Sequence, residues 1–101
     1  MPCKARAIPL QFAAMWYVYV LESEDKKWHY YGYTSNLKLR FMEHLNGEVT
    51  ATRYHKPFKL RYYEAYDDES LARQREATLK RSRSATKAMM QRLNNSATKG
   101  A

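Results

Sequence analysis

The sequence predicts an α/β fold of the α+β type: a small three-stranded antiparallel sheet flanked by helices, in the order β-β-α-β-α-(α). Three observations predict it. Two aromatic runs of period two, Trp16–Leu21 and Trp28–Thr34, flank a short charged turn. A third run of the same kind, Phe58–Tyr66, follows a polar loop. Between and after these runs the apolar spacing changes to that of helices.

The elements follow in order. Residues 1–14 show no sustained period and contain two prolines, so a flexible arm is expected. In Trp16–Leu21, Tyr17, Tyr19 and Leu21 share one face and Trp16, Val18 and Val20 the other. Both faces are apolar or aromatic, as in a strand covered on both sides. Glu22–Lys27 reads as a charged turn. Gly32 inside the second strand marks a bulge or the close approach of another group. A turn of about four residues would set Tyr19 opposite Tyr30. Thr34 or Ser35 can cap a helix beginning near Asn36, with Leu37, Phe41 and Leu45 as its apolar stripe and Asn46-Gly47 as its stop. Arg40 and His44 lie one turn apart beside that stripe.

Glu48–Pro57 reads as a loop, with Thr50, Thr52, Arg53, His55 and Lys56 on its surface. In Phe58–Tyr66 the alternation puts Leu60, Tyr62, Glu64 and Tyr66 on one face. Asp67-Asp68-Glu69-Ser70 supplies the acids that favour a helix start, and this helix runs to about Arg81. Its buried stripe is Ala72, Leu79 and part of Leu71, with Glu76 on it. A third short helix, Ala85–Leu93, would turn Ala85, Met89, Leu93 and Met90 inward. The chain thus divides into an arm (1–14), a folded domain (15–93) and a disordered tail (94–101).

With 101 residues the chain suits one domain with one modest core. Nine tyrosines are many for a core that size, since each brings a hydroxyl to satisfy. The net charge of +8 favours a polyanionic partner, nucleic acid first and acidic lipid second. The single cysteine, Cys3, excludes an internal disulfide and a cysteine zinc site, which suits a reducing compartment. No apolar run nears the roughly 18 residues of a membrane span, so a soluble, cytoplasmic protein is expected.

Several polar positions stand out against this frame. Glu76 on an apolar stripe is costly to bury without a partner or a metal. Arg73, Lys80 and Arg40 are within reach as ion-pair partners. Tyr19 and Tyr30 could be a stacked cross-strand pair, Arg40 a solvated helix cation and His44 a satisfied interfacial histidine. Lys38, Arg53, His55, Lys56, Lys80, Arg81 and Arg83 are candidate nucleic-acid contacts; from Lys80 to the end there are six basic residues and no acid.

The same positions carry a resemblance. Tyr17-Val18-Tyr19 and Tyr30-Tyr31-Gly32, followed by Thr34, Leu37, Arg40 and His44 at the spacing Y-x-G-x-T-x-x-L-x-x-R-x-x-x-H, resemble the signature of the GIY-YIG nuclease superfamily. The segment KPFKLRYYEAYDDESLARQREATLKR is similar to the second half of its small single-domain members. The likeness spans about Trp16 to Arg83. Tyr17-Val18 replace Gly-Ile, and Tyr31 replaces Ile. Asn94 and Asn95 stand far along for the downstream asparagine that many members carry.

The resemblance implies metal-dependent cleavage of DNA phosphodiester bonds, one strand per active site. It implies a Mg2+ or Mn2+ ion on Glu76 and charge neutralisation by Arg40. Tyr19 and Tyr30 would position or deprotonate the attacking water, assisted by His44. For a tyrosine to act as a base, nearby cations would have to lower its pKa from near 10. The partner would be DNA, with RNA an alternative, and the protein a monomer or weak homodimer. A nucleic-acid-binding module without cleavage, stacking its aromatics on bases, is the second reading. A protein-interaction domain with an incidental basic surface is the third.

Overall fold

A computed structural model describes residues 15–100, with side chains through Asn95. The expected arm, 1–14, lies outside the described residues. The chain forms strands β1 (Trp16–Ser23), β2 (His29–Thr34) and β3 (Phe58–Tyr66), and helices α1 (Leu37–Leu45), α2 (Glu69–Arg81) and α3 (Arg83–Gly100). A 3-10 turn, Arg53–His55, interrupts the loop before β3. The sheet is antiparallel in the order β2-β1-β3, with helices on both faces.

β1 is the central strand, and both its faces are buried as its two apolar faces require. Val18 and Val20 pack with Ala72 and Leu79 of α2 and Met89 of α3. Tyr19 and Leu21 pack with Phe58, Tyr30 and, from α1, Leu37 and Phe41. Ala85, Met90 and Leu93 join the first cluster, as the helical spacing predicted. Leu71 does not: it stays exposed, while Ala72 and Leu79 are the buried apolar residues of α2. α3 also continues to Gly100, through residues expected as a tail.

β1 runs two residues past its expected end. Glu22 and Ser23, read as turn residues, are buried in the strand. Glu22 is held there from both neighbouring strands, by His29 Nε2 at 3.0 Å and Arg61 Nε at 3.7 Å. Ser23 helps build the turn: its hydroxyl donates to Asp25 at 2.6 Å and accepts from Trp28 N at 3.1 Å. The turn keeps the expected four residues but sits one residue later, at 24–27, which moves the register by two, so that Tyr19 faces Gly32 and Leu21 faces Tyr30. A two-residue shift preserves the face, and Tyr19 and Tyr30 remain diagonal neighbours with ring centroids 6.2 Å apart.

β3 carries a second correction. Its pairing with β1 slips between Val20 and Leu21, which face Tyr62 and Leu60, leaving Arg61 as the extra residue of a bulge. Alternation fails there, so Leu60 joins the α1 face while Tyr62 and Tyr66 stay on the α2–α3 face.

α1 begins at Asn36, whose side chain accepts from Leu39 N at 3.1 Å. It ends at Asn46, with Gly47 at φ 77° just beyond. The buried stripe is Leu37, Phe41 and His44, at spacings of four and three, and the predicted Leu45 is exposed. Asp68 caps α2 by accepting from Ser70 N.

Gly32 is where the sheet meets the Tyr19 ring. A Cβ at this position would lie 2.6 Å from the Tyr19 hydroxyl oxygen and 2.7 Å from Cζ. We expect Gly32→Ala to destabilise the fold by about 1–3 kcal/mol, the usual range for overpacking. Urea unfolding checks this: the midpoint should fall while the slope stays constant.

Candidate active site

The site is built around the buried end of the Tyr19 side chain. Tyr19 and His44 are almost wholly inaccessible, at 1% and 0% exposure. The Tyr19 hydroxyl lies 2.8 Å from His44 Nε2, and His44 Nδ1 lies 2.8 Å from the Thr52 hydroxyl. The Thr52 hydroxyl also reaches the Val49 carbonyl at 3.4 Å. A carbonyl can only accept, so Thr52 donates to Val49 and accepts from His44 Nδ1–H. His44 Nε2 is then the acceptor for the Tyr19 proton. The chain of donation runs Tyr19, His44, Thr52, Val49, and it satisfies both ring nitrogens without a charge.

The rings of Tyr19, Tyr30 and Phe58 stand edge-on to the His44 imidazole, with centroids 5.6, 5.1 and 6.3 Å away. This apolar enclosure removes water from the imidazole. Together with the positive charge of Arg40, it lowers the His44 pKa to about 4. Tyr19 moves the other way. Burial pushes its hydroxyl up to about 12, against a downward pull from Arg40. The expectation that cations would lower this tyrosine's pKa is therefore corrected: burial outweighs the guanidinium.

Arg40 comes from the next exposed step of α1. Its Nη1 lies 2.9 Å from Glu43 Oε1, and the pair orients the guanidinium and keeps it charged. On the other flank stands α2. Lys80 Nζ is 3.1 Å from Glu76 Oε2 and 5.8 Å from the centre of the Tyr30 ring. Of the three cations within sequence reach of Glu76, Lys80 is the one that pairs with it. The charge of Glu76 also acts on Tyr19. Tyr19, Tyr30, Arg40 and His44 thus come together, and Glu76 joins them across Lys80. Tyr30 keeps part of its surface exposed, so it is the tyrosine a bound molecule can touch.

The basic residues scatter more widely. Lys38 lines a groove with Tyr17 and Tyr63, on the far side of α1. His55 stacks on Trp28 at 3.9 Å, and Trp28 stacks in turn on Tyr30 at 6.3 Å. Arg53 lies over the exposed Tyr54 ring, and Lys56 Nζ donates to the Leu45 carbonyl at 2.9 Å. Arg81 and Arg83 are exposed where α2 meets α3. Asn94 accepts from Arg61 Nη2 at 3.3 Å, on the opposite flank of the sheet from α1.

Two residues of the site escaped the sequence reading. Thr52, expected on the loop surface, is fully buried beneath His44. Glu43 sits three residues after Arg40, a helical spacing that could have flagged it. Lys80, expected as a nucleic-acid contact and as one possible partner of Glu76, is the cation that pairs with it. Among the described residues no three or more His, Cys, Asp or Glu side chains gather to hold a metal. Among the described residues Glu76 is the carboxylate whose charge reaches the Tyr19 hydroxyl, and it would be the acidic ligand. A single, mostly buried carboxylate beside phenol oxygens suits a hard ion that keeps most of its waters, such as Mg2+ or Mn2+, and does not suit zinc.

The sequence was compared with known proteins. The family model of the GIY-YIG catalytic domain matches residues 15–92. The chain is 44% identical over 66 residues to the UPF0213 protein of Streptococcus pyogenes serotype M5, covering 64% of this chain and 71% of that protein. The serotype M2 protein matches to the same extent. The solution structure of the UPF0213 protein BH0048 from Bacillus halodurans is 30% identical and covers 76% of this chain and 83% of its own, with a TM-score of 0.49. No helix among the described residues is long and apolar enough to cross a membrane.

The depressed His44 pKa has a consequence for stability. In the unfolded chain a histidine binds its proton near pH 6.5, while in the fold it does so only near pH 4. Between these values the unfolded state holds the extra proton, so stability rises with pH there. The contribution should be fully present above pH 6.5 and lost progressively as the pH falls to 4, about 3 kcal/mol in all. Urea unfolding of the wild type and of His44→Gln, from pH 4 to 8, isolates it: the variant's curve should lack this component.

Proposed function

The chain belongs to the GIY-YIG family, and from that membership we propose that it is an endonuclease hydrolysing DNA phosphodiester bonds, one strand per active site, with Mg2+ or Mn2+ held at Glu76. The observation that supports this most is the Tyr19–His44 hydrogen bond, buried below Tyr30 and flanked by Arg40 and Glu76.

The residues divide the work. His44 is neutral and accepts the Tyr19 proton, so the lone pairs of the Tyr19 oxygen face Arg40 and the site. Tyr19 is protonated at neutral pH and serves as a fixed dipole, not as a base. Tyr30, partly exposed, orients the attacking water against the phosphate. The proton leaving that water passes to solvent at the exposed side of Tyr30, since the buried Tyr19–His44 pair stays neutral near pH 7. Arg40 neutralises charge developing on the phosphate oxygens, where a planar guanidinium can bind two at once. When bound, the divalent ion polarises the phosphoryl group and steadies the leaving oxygen. The cations on the α2–α3 side hold the strand by its phosphates.

A second reading, a nucleic-acid-binding module with little cleavage, draws on the Glu76–Lys80 ion pair, which occupies the proposed metal ligand. One assay separates the two. Branched, nicked and linear DNA are incubated with the protein, with and without Mg2+ or Mn2+, and a single-stranded RNA is run in parallel. Cleavage should require the ion. Glu76→Ala and Arg40→Ala should each lower the rate by about 10²-fold or more. Tyr19→Phe, which leaves His44 without its donor, should also lower it. Unchanged cleavage in the first two variants would remove the proposed site, and metal-independent binding with no cleavage would favour the second reading.

A further inference from the structure

Where α2 ends and α3 begins, a pocket of about 340 Å³ opens beside the tyrosine cluster without being part of it. Its walls include Tyr31, Lys80, Ser82, Arg83, Thr86 and Lys87. Three cations line it and no carboxylate does. Two other pockets differ in this respect, and those at Lys38 and at Arg92 each carry a single cation. The one at Arg40 includes Glu43 and Glu69, and the one under Trp28 and His55 includes Glu24 and Asp25.

The hydroxyls of the pocket are already committed. Thr86 donates to the Leu79 carbonyl at 2.7 Å, and Ser82 Oγ accepts from Ala85 N at 3.2 Å. Two of the three cations are not. Among the described residues neither Arg83 nor Lys87 forms an ion pair. They lie one turn apart on α3, where like charges repel each other. An anion between them relieves that repulsion. Lys80 joins this pocket to the catalytic cluster, since the same ammonium pairs with Glu76 and overlies Tyr30.

We infer that this pocket is a second phosphate subsite, which takes a non-scissile backbone phosphate of the strand lying at Tyr30 and Glu76. The inference rests on the nucleic-acid-cleaving reading above and adds the path of the strand: from Tyr30, past Lys80, to Arg83 and Lys87. A guanidinium presents a fork that matches phosphate oxygens, and the two ammonium groups add point charges. The exposed part of the Tyr31 ring offers an apolar wall to the adjoining sugar.

The test is binding, measured apart from cleavage. The full-length protein is titrated into fluorescein-labelled branched DNA in a chelating buffer, at several salt concentrations, with fluorescence anisotropy as the readout. Arg83→Gln/Lys87→Gln should bind about tenfold or more weakly near 100 mM salt and reduce the salt slope by about 1–2. Lys26→Gln/Lys27→Gln removes the same charge from the β1–β2 turn and should change affinity less than about twofold. A scan of single methylphosphonate linkages, each neutralising one phosphate, should find one whose loss weakens the wild type but not Arg83→Gln/Lys87→Gln. Equal weakening by the two double variants, or additive losses at every linkage, would overturn the subsite. If the wild type fails to cut while that non-additive linkage persists, the nuclease reading falls and the phosphate subsite stands. No binding by the wild type overturns both.

Discussion

The fold and the site both depend on one buried contact, the 2.8 Å hydrogen bond between Tyr19 and His44. Two polar groups without access to water must be paired, and each left unpaired would cost about 1–3 kcal/mol. Pairing them fixes much else. It turns α1 so that His44, and not Leu45, faces the sheet. It draws Thr52 beneath the imidazole and so pins the loop before β3. It lays the Tyr19 ring across Gly32, where no side chain fits. One strand, one helix, one loop and one glycine are set by a single donor and acceptor.

The same burial decides the electrostatics. Enclosure in three aromatic rings favours the uncharged form of both partners, lowering the histidine and raising the tyrosine. The pair therefore crosses neutral pH without changing charge. This makes it a rigid, neutral support under a cationic surface. Charge that varies in a reaction must be handled above it, by Tyr30, Arg40, Glu76 and Lys80, which retain contact with solvent. The two tyrosines, equivalent by sequence pattern, differ by strand: Tyr19 on central β1 is a buried anchor, and Tyr30 on edge strand β2 keeps part of its surface exposed.

Much of this was legible in the sequence, and the misses have local causes. The three strands and the first two helices follow from period-two and helical spacing, and β3 was placed at Phe58–Tyr66 from alternation and its flanking proline and acids. Alternation could not show the bulge at Arg61, because a bulge is a property of the pairing and not of one strand. The register of Tyr19 differs by two residues because side-chain hydrogen bonds of Ser23 and Asp25 set the four-residue turn one position later, and strand pattern carries no record of them. Arg40 and His44 were found from motif and spacing together. Thr52 was not, since a polar residue in a polar loop gives no sign that it will be buried. Its position depends on His44, which lies eight residues earlier and on another element.

The paired charges above this support explain how a chain of net charge +8 can keep a carboxylate at its centre. Each cation near the tyrosines has an acidic partner at helical spacing: Glu43 for Arg40, three residues on, and Glu76 for Lys80, four residues back. These pairs are partly exposed and individually weak, since solvent-exposed ion pairs contribute about 0–1 kcal/mol. Weakness is what a binding site of this type requires. On the proposed function, an arriving phosphate would compete for Arg40 and Lys80 at little cost, and each displaced carboxylate, already charged, would lose its counter-charge and be left free to face a cation. An empty site held by strong pairs would resist its ligand, and one held by none would repel itself. Partners at i,i+3 and i,i+4 on separate helices keep both cations oriented until something more negative replaces their acids.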